Sequence, residues 1–229
     1  MKTFFHLGNI EPDYRSIMRE HTGIRLGEKK IPARKLVIAE QIHSDHVHVC
    51  SEADFGAGFG DHPQIPGADA LLTNIPGQYL LIRTADCFPI LLLDSNAGAV
   101  GAVHSGREGT RKNIAGRVVR HMESEYGVFP RDTIAWIGPG ICGHHYEVGG
   151  KVWEEFNQSM QDSGFEPSRS AERRLDLRAR ISAQLIAAGI PPENIRQQNI
   201  CTYESPEHFS FRKNGTHNRQ INLVGIEYE

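Results

Sequence analysis

The chain has no surplus of positive charge: 25 Lys and Arg stand against 28 Asp and Glu, a formal net charge of −3 over 229 residues. With no basic field or basic tail to neutralise a phosphate backbone, nucleic acid is not expected as a partner. Long apolar runs are missing as well. No stretch approaches the roughly 18 apolar residues needed to cross a bilayer, and the start, Met1-Lys-Thr-Phe-Phe-His-Leu-Gly-Asn-Ile, lacks the apolar centre of a signal peptide. A soluble, cytoplasmic protein with no membrane partner is the expectation. Cysteine is scarce: Cys50, Cys87, Cys142 and Cys201 are far apart, and no Cys-x-x-Cys pair occurs. That spacing argues against a disulfide framework and leaves each thiol to packing or to chemistry. Cys50, in Val47-His-Val-Cys50, reads as a small buried hydrophobe. No internal repeat is visible, and 229 residues suit one large domain or two small ones, a length at which a single core needs no staples.

What the chain does have is a central pair of apolar runs, Phe88 to Leu93 and Ala99 to Val103, around Ser95-Asn96-Ala97-Gly98, the pattern of a β-hairpin. Cys87 enters the first strand and His104 leaves the second, 17 positions on. In an antiparallel hairpin the start of one strand lies beside the end of the other, so a thiol and an imidazole meet at one sheet end. On residue chemistry alone this is either part of a metal site or a nucleophile with its base.

Elsewhere, residues 2–8 read as a first strand and Pro12 to His21 as a short helix. Leu36-Val-Ile38 is a buried strand leading into His43, His46 and His48, with His43 best placed as a ligand and the other two on a solvated strand face. Ser51 to Pro66, rich in Gly, Asp and Pro, is expected as a surface loop or lid. Asp69 to Thr73 and Tyr79 to Arg83 are strands about the turn Asn74-Ile-Pro-Gly77, making one sheet of at least four strands with the hairpin. Thr110 is the expected N-cap of a helix with Ile114, Val118 and Met122 on its apolar side, and the glycine-rich turn before it could hold an anion. A strand at Asp132 to Ile137, a Gly-, His- and Cys-rich loop at 138–149 and a helix near Lys151 to Gln158 follow. A helix through Leu177, Ile181, Leu185 and Ala188, stopped by Gly189, precedes strands at Asn194 to Ile200 and Gln220 to Ile226. Strands and helices do not alternate strictly, so the class is α+β, mixed sheets flanked by helices.

Gln41-Ile-His43, Gly67-Ala-Asp-Ala-Leu-Leu-Thr73, Thr84-Ala-Asp-Cys87-Phe-Pro, Val103-His104-Ser-Gly, Ile137-Gly-Pro139, Tyr146-Glu-Val-Gly149, Leu175-Asp-Leu177, Cys201-Thr202 and Ser210-Phe-Arg212 occur in this order. In these segments, which run over nearly the whole chain, the sequence resembles the multicopper polyphenol oxidase or laccase-domain family. Members of this YfiH-type family are described as purine nucleoside phosphorylases with adenosine deaminase activity. The resemblance implies one domain, 1–229, of mixed sheets flanked by helices, and a zinc ion held by His43, Cys87 and His104. Two imidazoles and a thiolate are ordinary zinc ligands, and three protein ligands leave the open position of a catalytic zinc. Two positions depart from the family pattern. Arg107-Glu108-Gly109 stands where the family usually has aromatic-Arg-Gly, and His144-His145 replaces paired cysteines, with Cys142 upstream.

On this resemblance the expected partners are a small-molecule nucleoside and phosphate. Zinc would activate water for attack at C6 of adenosine, and phosphate held by arginine would attack C1′ of adenosine, inosine or methylthioadenosine. Asp86 is the candidate for proton handling, and Arg83, Arg107 and Arg212 are the candidate anion holders. Three other readings compete. Copper-dependent polyphenol oxidation draws on the family label and on 12 histidines, although only His144-His145 approaches the paired density of a multinuclear copper cluster. A metal-free cysteine hydrolase acting in cell-wall peptide editing, a role to which the family has been linked, would use Cys87 as nucleophile and His104 as base. A structural zinc module would need a fourth ligand, from His46 or His144.

Overall fold

The computed structural model describes residues 2–20, 22–94, 96 and 98–227. His21, expected to end the first helix, and Ser95 and Ala97 of the expected hairpin turn lie outside the described residues. In chain order the first strands are β1 (Lys2–Leu7), β2 (Gly23–Leu26), β3 (Lys29–Pro32), β4 (Leu36–Ile38), β5 (Val47–Val49) and β6 (Ala70–Thr73). The later ones are β7 (Tyr79–Thr84), β8 (Phe88–Asp94), β9 (Ala99–Ser105), β10 (Ile134–Ile137), β11 (Ile195–Gln197) and β12 (Gln220–Glu227). The helices are α1 (Tyr14–Glu20), α2 (Arg107–Arg111), α3 (Ile114–Tyr126), α4 (Gly150–Asp162), α5 (Leu177–Ala187) and α6 (Phe211–Asn214).

Among the described residues the strands form a sheet of order β1-β12-β7-β4, a larger one of order β11-β10-β8-β9-β6-β5, and the ribbon β2-β3. Successive strand residues face opposite sides, and the apolar runs fill both. In β8, Phe88, Ile90 and Leu92 enter a core shared with Val118 and Met122 of α3, Phe156 of α4 and Ile181 of α5. Leu91 and Leu93 enter a second core with Leu80 and Ile82 of β7 and Val224 of β12. On the far side of β7, Tyr79 and Leu81 pack with Ile17, Ile24 and Ile31 in a third. The order of layers is therefore helices, large sheet, small sheet, then α1 with the β2-β3 ribbon. The fold is α+β, with mixed sheets flanked by helices.

The hairpin forms with Pro89 opposite His104 and Phe88 opposite Ser105. The single sheet expected through Val103 does not: β6 pairs with β9 whereas β7 pairs with β12 and β4, so the Asn74–Gly77 turn carries the chain from one sheet to the other. Both strands are buried on both faces, and alternation alone does not tell two stacked sheets from one. Thr110 is not an N-cap; it is buried inside α2 with its hydroxyl 3.0 Å from that of Ser105, and Asn113 caps α3 by accepting from the Gly116 amide. The 51–66 segment is no free lid, because Ala57, Phe59 and Ile65 are buried and the Ile38 and Ile65 amides bond across it. His46 precedes β5, and the His48 ring lies 3.1 Å from the Asp54 carboxylate rather than on a solvated face.

Candidate active site

Three chain segments bring His43, Cys87 and His104 together. Cys87 sits just before β8, and His104 belongs to β9. His43 lies in the connection from β4 to β5 with φ 62°, a left-handed conformation that needs a local reason in a residue with a side chain. Asp69 supplies that reason. Its carboxylate accepts from the backbone amides of Ile42, His43 and Ser44 at 3.1, 3.1 and 2.6 Å and from the Ser44 hydroxyl at 2.8 Å.

The same carboxylate lies 2.6 Å from His104 Nδ1. An ionised carboxylate only accepts, so Nδ1 carries the hydrogen and Nε2 is the nitrogen left for the cleft. Burial opposes ionisation of Asp69, but His104 and the Ser44 donors outweigh it and hold the carboxyl below its usual range. Burial would likewise keep Cys87 protonated, yet the adjacent His104 and His43 rings draw its thiol down to about 6. His104 is pushed up against its own burial, by the Cys87 thiolate first and by Asp69.

Cys87 Sγ lies 3.9 Å from His43 Nε2, the two rings meet edge to face at 4.9 Å between centroids, and one ligand atom from each residue lies within 4.8 Å of the others. With zinc–sulfur bonds of about 2.3 Å and zinc–nitrogen bonds of about 2.0–2.1 Å, a tetrahedral S···N edge comes to about 3.6 Å. The donor types, their spacing and the carboxylate behind His104 fit a zinc ion held by three protein ligands. Gly106 is required beside them: a Cβ there would stand 2.7 Å from Cys87 Sγ.

A cavity of about 600 Å³ opens over these groups. Every site residue expected from the sequence lines it: His43, Arg83, Asp86, Cys87, His104, Arg107 and Arg212. Arg83 is braced by the Ala39 carbonyl, by Gln41 and by the Tyr14 ring, 4.6 Å from its guanidinium carbon. Arg212 donates to the Glu147 carbonyl and lies 5.1 Å from the Tyr146 ring centre. Arg107 bonds Glu108, which also pairs with Arg111, so the acid at the family's usual arginine position is neutralised on both sides. Asp86 has φ 88° and both carboxylate oxygens engaged, one with the Thr202 hydroxyl and one with the Arg212 amide, each at 2.7 Å.

Tyr14, Tyr146, Phe211, His217 and Arg219 also line the cavity. Arg219 and His217 carried no signal beyond a basic cluster about the Gly215 turn, and the part played by Asp69 depends on a contact across 35 residues. His144 and His145 do not line the cavity, and neither does His46. Among the described residues no helix is long and apolar enough to cross a membrane.

Residues 5–227 match a family model described as multi-copper polyphenol oxidoreductase laccase. A purine nucleoside phosphorylase of Bacteroides thetaiotaomicron is 35% identical over 219 residues, covering 92% of this chain and 79% of the relative. An adenosine deaminase from an unknown prokaryotic organism is 36% identical over 185 residues, covering 79% of this chain and 70% of the relative. Among solved structures, YlmD from Geobacillus stearothermophilus superposes with a TM-score of 0.79 at 31% identity, covering 86% of this chain and 76% of that one. The Bacillus licheniformis protein YfiH gives 0.78 at 28% identity, with the same coverage of both chains.

Proposed function

The chain belongs to the family described as multi-copper polyphenol oxidoreductase laccase, and on that premise we propose that it is a zinc-dependent enzyme of purine nucleosides. It cleaves adenosine, inosine or methylthioadenosine with phosphate and deaminates adenosine. The observation that carries this reading is the meeting, in one cavity, of two imidazoles and a thiolate with four arginines and three aromatic rings. Relatives named purine nucleoside phosphorylase and adenosine deaminase support the substrate class, and a cytoplasmic location suits substrates of that kind.

A zinc ion held by His43 Nε2, Cys87 Sγ and His104 Nε2 would supply a Lewis acid with one position open to water or substrate. Asp69 aims His104 and fixes its tautomer. The Tyr146 and Phe211 rings offer flat apolar faces to a purine. Arg107 and Arg212 hold phosphate, with Arg83 and Arg219 adding positive field. In phosphorolysis a phosphate oxygen bonds to C1′, the C1′–N9 bond breaks, and the purine leaves with the electron pair and takes up a proton. In deamination water adds at C6 and ammonia leaves. Asp86, with both oxygens engaged, serves by positioning: it holds the Arg212 amide and the Thr202 hydroxyl at the cavity wall.

One arrangement favours a second reading. Asp69, His104 and Cys87 lie in the order of an orienting acid, a base and a nucleophile, the set a metal-free cysteine hydrolase would need. Copper oxidation has less support, since none of the three metal-competent groups among the described residues holds more than two histidines. The test is to incubate metal-analysed protein with adenosine, inosine and phosphate and to resolve the products by chromatography. Free purine with ribose 1-phosphate, and inosine from adenosine, are expected. Zinc-replete protein that forms neither overturns the proposal, and alkylation of Cys87 unaffected by a chelator would favour the hydrolase.

A further inference from the structure

Four more ligand-type side chains converge away from the cavity, where the β10–α4 loop meets the segment after β11. Cys142 Sγ lies 3.2 Å and Cys201 Sγ 3.8 Å from His145 Nδ1. Glu204 Oε1 lies 3.5 Å from the same nitrogen, and one ligand atom from each of the four residues is within 4.8 Å of the rest. Tetrahedral zinc with sulfur at about 2.3 Å and nitrogen or oxygen at about 2.0–2.2 Å has ligand–ligand edges of about 3.3–3.8 Å. The observed separations span that range.

We infer that Cys142, His145, Cys201 and Glu204 form a second zinc site, structural in kind and separate from the cavity. Two sulfurs, an imidazole and a carboxylate are a zinc set, and four protein ligands close the coordination sphere. The surroundings are those of a prepared site. The Cys142 amide donates to Cys201 Sγ at 3.3 Å, and the His145 ring is held by stacking on Tyr203 at 4.5 Å. The third cluster, His48, Cys50 and Asp54, differs: it offers a single sulfur and three ligand groups, and Asp54 is already bonded to Ser51 and His48.

A metal here would staple two loops that reach the cavity wall. Thr202, next to Cys201, donates from its amide to the Gly140 carbonyl and from its hydroxyl to Asp86, and the Ile141 amide donates to the Asp86 carbonyl. The site would thereby fix the Asp86 corner without touching substrate.

The experiment uses the full chain carrying Cys87→Ala, which removes the cavity thiolate, kept under reductant and titrated with Co²⁺ and then Zn²⁺. About one equivalent of cobalt with a sulfur-to-cobalt absorption band, displaced by zinc, is expected. Adding Cys142→Ser should weaken the band. Adding Glu204→Gln, a change at an exposed side chain, should let a chelator strip zinc that the Cys87→Ala parent retains. A Cys87→Ala protein with no such band overturns the inference, as does a band that survives both Cys142→Ser and Cys201→Ser. A Cys142–Cys201 disulfide found by mass in the same reducing buffer also overturns it. Because the cavity thiolate is absent throughout, failure here leaves the nucleoside reading standing.

Discussion

Gly106→Ala isolates the packing of the proposed zinc cradle from everything else. Gly106 caps α2 with φ −86° and ψ −172°, a conformation open to alanine, so the backbone itself resists nothing. The added methyl would stand 2.7 Å from Cys87 Sγ and 3.1 Å from His43 Cδ2. Restoring ordinary contact means moving the sulfur by about 1 Å, and a misplacement of about that size costs roughly 10²-fold in rate. We therefore expect kcat/KM for inosine phosphorolysis to fall about 100-fold, equivalent to about 2.7 kcal/mol of transition-state stabilisation. Gly149→Ala makes the same chemical change at the N-cap of α4, where no atom lies within 4 Å of the new methyl, and should leave turnover near the parent value. The assay is steady-state phosphorolysis with zinc content and thermal unfolding recorded for all three proteins. A Gly106→Ala protein that keeps full zinc and kcat/KM within about twofold of the parent would refute the claim that this sulfur must sit where it does.

Removing the charge behind His104 with Asp69→Asn should weaken zinc about 10- to 100-fold, measured by competition with a chelator, because the ring loses its fixed tautomer; unchanged affinity would deny Asp69 that role. Arg107→Ala should raise the phosphate KM about 10- to 100-fold, the scale of a charge-assisted hydrogen bond of about 1.5–3 kcal/mol. Glu108→Arg should not be silent either, since it removes the carboxylate shared by Arg107 and Arg111. Stability below neutral pH should follow Glu227. Burial opposes its ionisation, but Lys29 and the Tyr79 hydroxyl at 2.7 Å hold its pKa below 4.5. A depressed carboxylate stabilises the fold above its unfolded value, and that contribution disappears as pH falls through the folded value. Urea unfolding of Glu227→Gln should accordingly change less than the parent's between about pH 5 and pH 3, and parallel losses would sink this assignment.

The hairpin and its end residues were legible because a short antiparallel pairing fixes neighbours from spacing alone, and Cys87 and His104 fell where spacing put them. The helical stripes through Ile114, Val118 and Met122 and through Leu177, Ile181 and Leu185 also emerged intact, as buried faces of α3 and α5. What stayed hidden were pairings of high sequence separation. Nothing local distinguishes β6 from β7, yet they belong to different sheets. Asp69 looks like any acid before a strand, and only the fold sets it against both the His43 turn and His104. Arg219 enters the cavity because β12 runs beside β7, a contact that no motif announces.

The most direct test is zinc analysis beside nucleoside turnover for His43→Ala, Cys87→Ala, His104→Ala and one double variant of the three. If the three side chains act as one cradle, each single change removes cavity zinc and activity together, and the double variant resembles a single one. Turnover that persists after cavity zinc is gone, or full zinc in Cys87→Ala with activity lost, would contradict the account.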